Sequence, residues 1–377
     1  MSSQTVLFVV TSHITATTFL VGQLSHLREQ GWNTHVISAP GPGLVELCER
    51  EGAMLHAVPM ERRPAPLDDL RSLARLAWTI RSIDPDVIVA GTPKAGLLAG
   101  MTGWAARVPR RIYLVHGLRF EGLEGLKRSA LVALERVSAR SATELVAVSP
   151  SVRAGLVEAG IPGSRSVHVL GAGSPNGVDT ERFRPPSDAA RAEARRRLEI
   201  PTEARVALFV GRVTRDKGLA DLKALAGSLA EGERLIVVGD PEPLDDQDRL
   251  CTAALERHPR VILRGHADDV TPYYRAADLL VLPTRREGLP TVVLEAGACG
   301  LPTVSYAVTG VVDAAEPGRT AVLVPWDSST AFVQESTSLL RDRTRARAMG
   351  AHARQHITQK FDRHAVWQAW QEHLEPT

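Results

Sequence analysis

Cysteine is scarce: Cys48, Cys251 and Cys299 are the only three in 377 residues. An odd number, widely spaced and without a CxxC, excludes a disulfide scaffold and a cysteine metal or redox site. Aromatic residues make up 5% of the chain, and none interleaves with a basic run, which argues against stacking on single-stranded bases. Charge is balanced, 45 Lys+Arg against 43 Asp+Glu, so the strongly basic footprint of a nucleic-acid binder is missing too. No run approaches the roughly 20 consecutive apolar residues of a membrane helix. The opening MSSQTVLFVVTSH lacks the basic start of a signal peptide and reads as a first strand. A cytoplasmic protein is expected, with peripheral contact to the inner face of a membrane left open.

What the sequence does have is alternation. Short apolar runs, TVLFVV (5–10), THVISA (34–39), DVIVAG (86–91), RIYLVH (111–116), ELVAVS (144–149) and SVHVLG (166–171), fill the first half. RVALFVG (205–211), RLIVVG (234–239), RVILRG (260–265), DLLVLP (278–283), PTVSYA (302–307) and AVLVP (321–325) fill the second. Uninterrupted apolar runs fit strands of a parallel sheet covered on both faces. Between them lie segments of helical spacing; one opens at Ser149 as an N-cap and closes at Gly160. GAGSPNGVDTERFRPPS (171–187) breaks the alternation as a linker. The fold class expected is therefore α/β, two doubly wound Rossmann-like domains, 1–180 and 181–359, facing across a cleft at the hinge. The segment from Lys360 to Leu374 is expected to be a helix. Its Phe361, Val366, Trp367, Trp370 and Leu374 need a surface, either back on the first domain or at the end of the second.

Ligands of open parallel sheets sit beyond the carboxyl ends of the strands. The first strand leads into TSHITATTFLVGQL, with neither a GxGxxG nor a P-loop, which lowers nicotinamide enzymes and ordinary NTPases. After RVALFVG come Arg212 and, in VTRDKGL, Lys217 near a helix start, a seat for a diphosphate. After DLLVLP comes TRREGLPTVVLEAGACGLP, where Glu287 falls in the loop, Pro290 at the first helical position and Glu295 within the helix. Two carboxylates there can accept hydrogen bonds from sugar hydroxyls. The spacing alone is common; the context EGLP…EAGACGLP is what gives it weight. His116 ends a first-domain strand, where a structural hydrogen bond is the competing reading. Asp84-Pro85-Asp86 reads as a helix stop and Asp246-Gln247-Asp248 as a helix start, and no His/Cys/Asp cluster has metal-ligand spacing, so no metal is expected.

GRVTRDKG, EGLP with a second Glu eight residues on, SPNGVD, and HG after a first-domain strand together resemble the retaining nucleotide-sugar glycosyltransferases of family 4, with the GT-B fold. TPKAGLLAG, VHGLRFEG and GAGSPNGVD further resemble a bacterial subgroup that extends lipid-linked or cell-surface glycans. The resemblance implies that Arg212 and Lys217 hold the donor diphosphate, and that Glu295 holds the ribose. Glu287 and the backbone of Gly288, Leu289 and Pro290, with Thr291, would address the donor sugar. Gly265, His266 and Ala267 would lie along the nucleobase edge, and His116 opposite the sugar. Thr15, Lys94 and Arg119 are acceptor-side candidates. Two departures stand out: SHITATT replaces the family's Gly-Gly turn, and EGLP its EGFG. The implied partners are a nucleotide-sugar donor, with UDP favoured by family habit, and a glycan, lipid-linked or small-molecule acceptor. A small-molecule tailoring transferase, a nucleotide-sugar epimerase and a non-catalytic donor-binding subunit remain as alternatives. Oligomeric state is not legible.

Overall fold

The computed structural model describes residues 4–60 and 66–375, apart from the side chains of 66–71. The chain forms two compact units, Met1–Asn176 with His364–Thr377, and Gly177–Arg363. In the first, β1 (Thr5–Val9), β2 (Asn33–Ser38), β3 (Met54–Ala57), β4 (Val87–Ala90), β5 (Arg110–Val115), β6 (Glu144–Ala147) and β7 (Val167–His168) form one sheet in the order β3-β2-β1-β4-β5-β6-β7. In the second, β8 (Arg205–Val210), β9 (Glu233–Val238), β10 (Val261–Arg264), β11 (Leu279–Leu282), β12 (Thr303–Tyr306) and β13 (Ala321–Val324) order as β10-β9-β8-β11-β12-β13. Both sheets are parallel throughout, and β1, β4, β8 and β11 are buried almost end to end, as their apolar runs require. The order reverses between β1 and β4 in one unit and between β8 and β11 in the other. Those reversals are where a doubly wound sheet opens its ligand crevice.

Helices follow their sequence signals closely. Ser149 caps Pro150–Glu158, its hydroxyl accepting from the Val152 amide at 3.3 Å. Asp245 caps Asp246–Arg257 in the same way, which makes the Asp246-Gln247-Asp248 stretch the acidic first turn of a helix. Asp84 ends Pro66–Ile83, and the Asp86 carboxylate takes the Thr5 amide at 2.7 Å.

The tail needs a correction. Lys360 closes the helix Arg343–Lys360, and a separate helix, Arg363–Leu374, forms the C-terminus. Phe361 belongs to the second unit: its amide bonds to the Ile357 carbonyl, and its carbonyl accepts from Val178 at 2.9 Å. Val178 in turn accepts from Arg363 at 3.0 Å, so the two chain crossings are bonded side by side. The boundaries therefore fall at 176/177 and 363/364, not at 180/181 and 359/360. The final helix packs on the first unit. Trp367 donates to the Asn176 side chain at 2.6 Å and fills the space a side chain at Gly22 would occupy. Arg110 donates to the carbonyls of His373 and Leu374 at 2.8 and 2.9 Å, satisfying the helix end. Trp370 and Leu374 are each 1% exposed, and burying Leu374 alone is worth roughly 1.5–3 kcal/mol.

Candidate active site

In the second unit, β8 ends at Val210 and delivers Arg212, after which Arg215–Lys217 makes a single tight turn. Gly218 closes that turn at φ +81°, and a Cβ there would lie 2.3 Å from the carbonyl of Pro283 at the end of β11. Only glycine fits, and the turn is thereby held against the neighbouring strand. Lys217 consequently meets Glu287 of the loop after β11 in a direct ion pair. Their side chains are 19% and 14% exposed, so the pair is largely desolvated.

Asp216 collects the surrounding positive charge. Burial pushes its carboxyl up, but the Thr214 hydroxyl, donating at 2.6 Å, and the charges of Arg212, Arg286 and Lys217 hold it below its usual range. Arg212 itself is paired with Glu242 at 3.0 Å, both side chains more than half exposed. The two expected diphosphate cations thus differ, Lys217 desolvated and Arg212 in water. Arg215 is committed to Asp245 and Asp248 at the start of the next helix.

Beyond Glu287, Leu289 is buried and Pro290 is the N-cap of the helix Thr291–Ala298, one position earlier than expected. Pro290 has no N–H, and its carbonyl accepts from Val293 at 3.0 Å. Pro290 therefore has only its carbonyl to offer a ligand, while Gly288 and Leu289 each carry an N–H as well. Thr291 begins the helix, half-buried. Glu295 lies one turn in and accepts from the Tyr274 hydroxyl at 2.7 Å. Burial raises its pKa to about 7, against the lowering influence of Tyr274 and Arg182. Tyr274 is fully buried with its ring edge-on to Phe183 at 5.7 Å. Glu287 and Glu295 thus have separate partners, one a cation and one a phenol. At the end of β10, the Gly265 carbonyl accepts from Gly239 at 3.1 Å, and the His266 amide donates to Asp240 at 2.9 Å. The His266 ring is exposed beside Asp268, and Ala267 follows it.

In the first unit, His116 directly follows β5. Its ring stacks on Phe19, centroids 5.1 Å apart, and packs against Gly91. Burial pulls its pKa down to about 4, so the imidazole is neutral near pH 7. A cavity of about 20 Å³ beside it is lined by Thr15, Gln23 and Trp370, among others. At the β1–β4 reversal, the Thr11 and Thr92 hydroxyls meet at 3.3 Å, and Thr92 caps the helix Pro93–Ala105 that carries Lys94. Arg119 is exposed, and its charge acts on the buried Tyr113–Glu135 hydrogen bond.

Two family models match the chain: glycosyl transferases group 1 over residues 190–356, and glycosyl transferase 4-like domain over 15–173. D-inositol 3-phosphate glycosyltransferase 1 of Catenulispora acidiphila is 32% identical over 84% of this chain and 78% of its own. The chain belongs to the family 4 glycosyltransferases. The capsular polysaccharide biosynthesis glycosyltransferase CapM of Staphylococcus aureus is 29% identical, over 92% of this chain and 90% of its own length. Among solved structures, HepE of Anabaena in complex with UDP and glucose superposes with a TM-score of 0.82 at 20% identity, covering 98% of both chains, which shows the shared GT-B fold.

Cavity size does not locate the site of this glycosyltransferase. A cavity of about 960 Å³ lies at the opposite, amino ends of the second unit's strands, lined by Arg191, Arg195, Asp278 and Arg343. Arg195 there is already bonded to Asp278 and to backbone carbonyls. Among the described residues no group of three or more His, Cys, Asp or Glu is arranged to hold a metal ion. Tyr274, Asp216 and Arg286 were not anticipated from the sequence.

The raised pKa of Glu295 carries a stability prediction. Its value near 7 lies above the usual 4.5, so the folded state holds the proton more tightly than the unfolded chain. That contribution is fully present below about pH 4.5 and is lost as pH rises through about 7. It amounts to about 3 kcal/mol at most. Urea unfolding of wild type and Glu295→Gln across this range is expected to show the variant gaining relative stability with rising pH. A constant difference between the two would refute the assignment.

Proposed function

We propose that this glycosyltransferase moves a sugar, with retention, from a nucleotide diphosphate sugar, most simply a UDP-sugar, to a hydroxyl of a glycan or lipid-linked saccharide at the inner face of the membrane. The observation that carries the donor half is the desolvated Lys217–Glu287 pair, seated where the second sheet reverses order. In this reading Lys217 and Arg212 take the charge that develops on the diphosphate as the anomeric C–O bond breaks. The bond's electrons go to the departing phosphate oxygen, and the acceptor oxygen bonds to the anomeric carbon while its proton passes to that phosphate oxygen. Glu287, with the amides of Gly288 and Leu289, addresses the sugar, Glu295 the ribose, and residues 265–267 the base. His116, neutral and with no carboxylate partner among the described residues, serves as a hydrogen-bonding group and not as a strong base. Two cations supply the neutralisation, so the proposal needs no metal. HepE, whose structures hold UDP, glucose and UDP-glucose, and CapM, named for capsular polysaccharide, support the donor and acceptor classes respectively.

The inositol phosphate transferase relative favours a second acceptor reading, a small phosphorylated polyol. A thermal-shift panel of UDP-, GDP-, ADP- and dTDP-sugars tests the donor, since a bound donor stabilises by mass action. Labelled UDP-sugar offered with lipid-linked saccharide or with inositol phosphate tests the acceptor. A UDP-sugar is expected to raise Tm by several degrees, with label passing into the organic phase. No shift with any donor, or label appearing on inositol phosphate alone, would overturn the corresponding half.

A further inference from the structure

We propose that the outer surface of three neighbouring helices of the first unit, Pro66–Ile83, Pro93–Ala105 and Gly125–Ser141, docks on an anionic lipid surface. These helices pack side by side, and their inner faces (Leu76, Ile80, Leu98, Val132) are buried. Their outer faces expose Trp78, Met101, Trp104, Leu126, Leu134 and Val137, with Trp78 at 73%, Trp104 at 69% and Leu126 at 89%. Scattered exposed apolar residues are ordinary; two tryptophans and four aliphatic side chains on adjoining helices are not.

Charge decides the occupant. The helices Pro93–Ala105 and Gly125–Ser141 carry Lys94, Lys127, Arg128, Arg136 and Arg140, while their single acid, Glu135, is buried against Tyr113. Every exposed charge on those two helices is therefore positive. The helix Leu44–Glu51 shows the contrast: its exposed Val45 sits beside exposed Glu46 and Glu49. Exposed Trp and Leu beside the exposed Lys127, Arg128, Arg136 and Arg140, which outnumber the one exposed acid at the N-cap, Glu124, is the composition that suits the interface of a membrane bearing anionic lipid. No described helix is long and apolar enough to cross a membrane, so the contact is lateral. In the His116 loop, Phe120 is buried under the Arg128 guanidinium at 5.7 Å and takes no part in this surface. Leu126, Lys127 and Arg128, in the first turn of the helix after that loop, are exposed.

The biological sense of this surface rests on the membrane-borne acceptor proposed above, but its test needs neither donor nor acceptor. The full-length protein is sedimented with vesicles of phosphatidylcholine alone or mixed with phosphatidylglycerol. Binding is expected to be at least about tenfold stronger to the mixed vesicles and to fall steeply with added salt. Each basic residue near the surface contributes about fivefold, so Lys127→Glu with Arg128→Glu is expected to weaken binding about 25-fold or more. Trp78→Ala with Trp104→Ala is expected to weaken binding at any salt concentration. A far-ultraviolet circular dichroism spectrum and a cooperative thermal transition like those of wild type show that each variant is folded. Equal binding to both vesicle types, no binding, or variants that bind like wild type would overturn the proposal. So would a self-associated chain whose size falls on Trp78→Ala with Trp104→Ala, which would make the surface a protein interface.

Discussion

Lys217→Ala is expected to lower kcat for sugar transfer by 10²–10³-fold, about 3–4 kcal/mol, the usual cost of removing one preorganised donor to a developing charge. Two structural facts place Lys217 above Arg212 in this ranking. Lys217 is mostly withdrawn from water beside Glu287, whereas Arg212 is solvated and engaged with Glu242. A charge in a low-dielectric setting acts more strongly than one screened by solvent. Arg212→Ala is accordingly expected to cost about tenfold or less. Lys217→Ala also strands the Glu287 carboxylate, and a half-buried charge without a partner destabilises the fold. Stability and catalysis are separated by Lys217→Ala with Glu287→Gln, which removes both charges: unfolding returns toward wild type, while transfer stays impaired. Steady-state kinetics and urea unfolding on wild type and the three variants provide the readout. If Arg212→Ala is the more damaging, or Lys217→Ala stays within a few-fold of wild type, the leaving-group assignment falls.

The architecture was legible because both sheets are parallel and covered, so the strands announce themselves as apolar runs. The exception is β3, Met54–Ala57. It lies at a sheet edge with Met54 and Ala57 exposed and has no run to show. The misplaced start of the tail helix has a similar cause. Phe361 continues the apolar spacing of Val366 and Trp370, yet it packs on the second unit, and spacing cannot tell two surfaces apart. At the site, Lys217 and Glu287 were readable from strand ends and family motifs. Their direct pairing was not, since it depends on Gly218 pressing one turn against another strand. Tyr274 gave no signal: it sits in a six-residue helix, 21 positions from the carboxylate it serves. Arg212 and Lys217 look equivalent in sequence, and burial alone distinguishes them.

Glu287→Gln is expected to separate binding from chemistry more sharply than any other single change. Glu287 neutralises Lys217, so a diphosphate that reaches this ammonium competes with a carboxylate for it. The isosteric amide keeps an acceptor oxygen but removes the competing charge and its repulsion of the phosphates. A nucleoside diphosphate without sugar is therefore expected to bind the variant as tightly as wild type or up to about tenfold tighter, about 1.4 kcal/mol. Transfer is expected to fall by 10² or more, because in the proposed reading this carboxylate addresses the positively charged sugar in the transition state. The pairing of unimpaired binding with lost turnover marks an interaction made chiefly in the transition state. Calorimetry with UDP and initial rates with the UDP-sugar measure the two halves. Should both fall in parallel, Glu287 would be no more than a positioning residue for Lys217, and the sugar would have to be addressed by other groups.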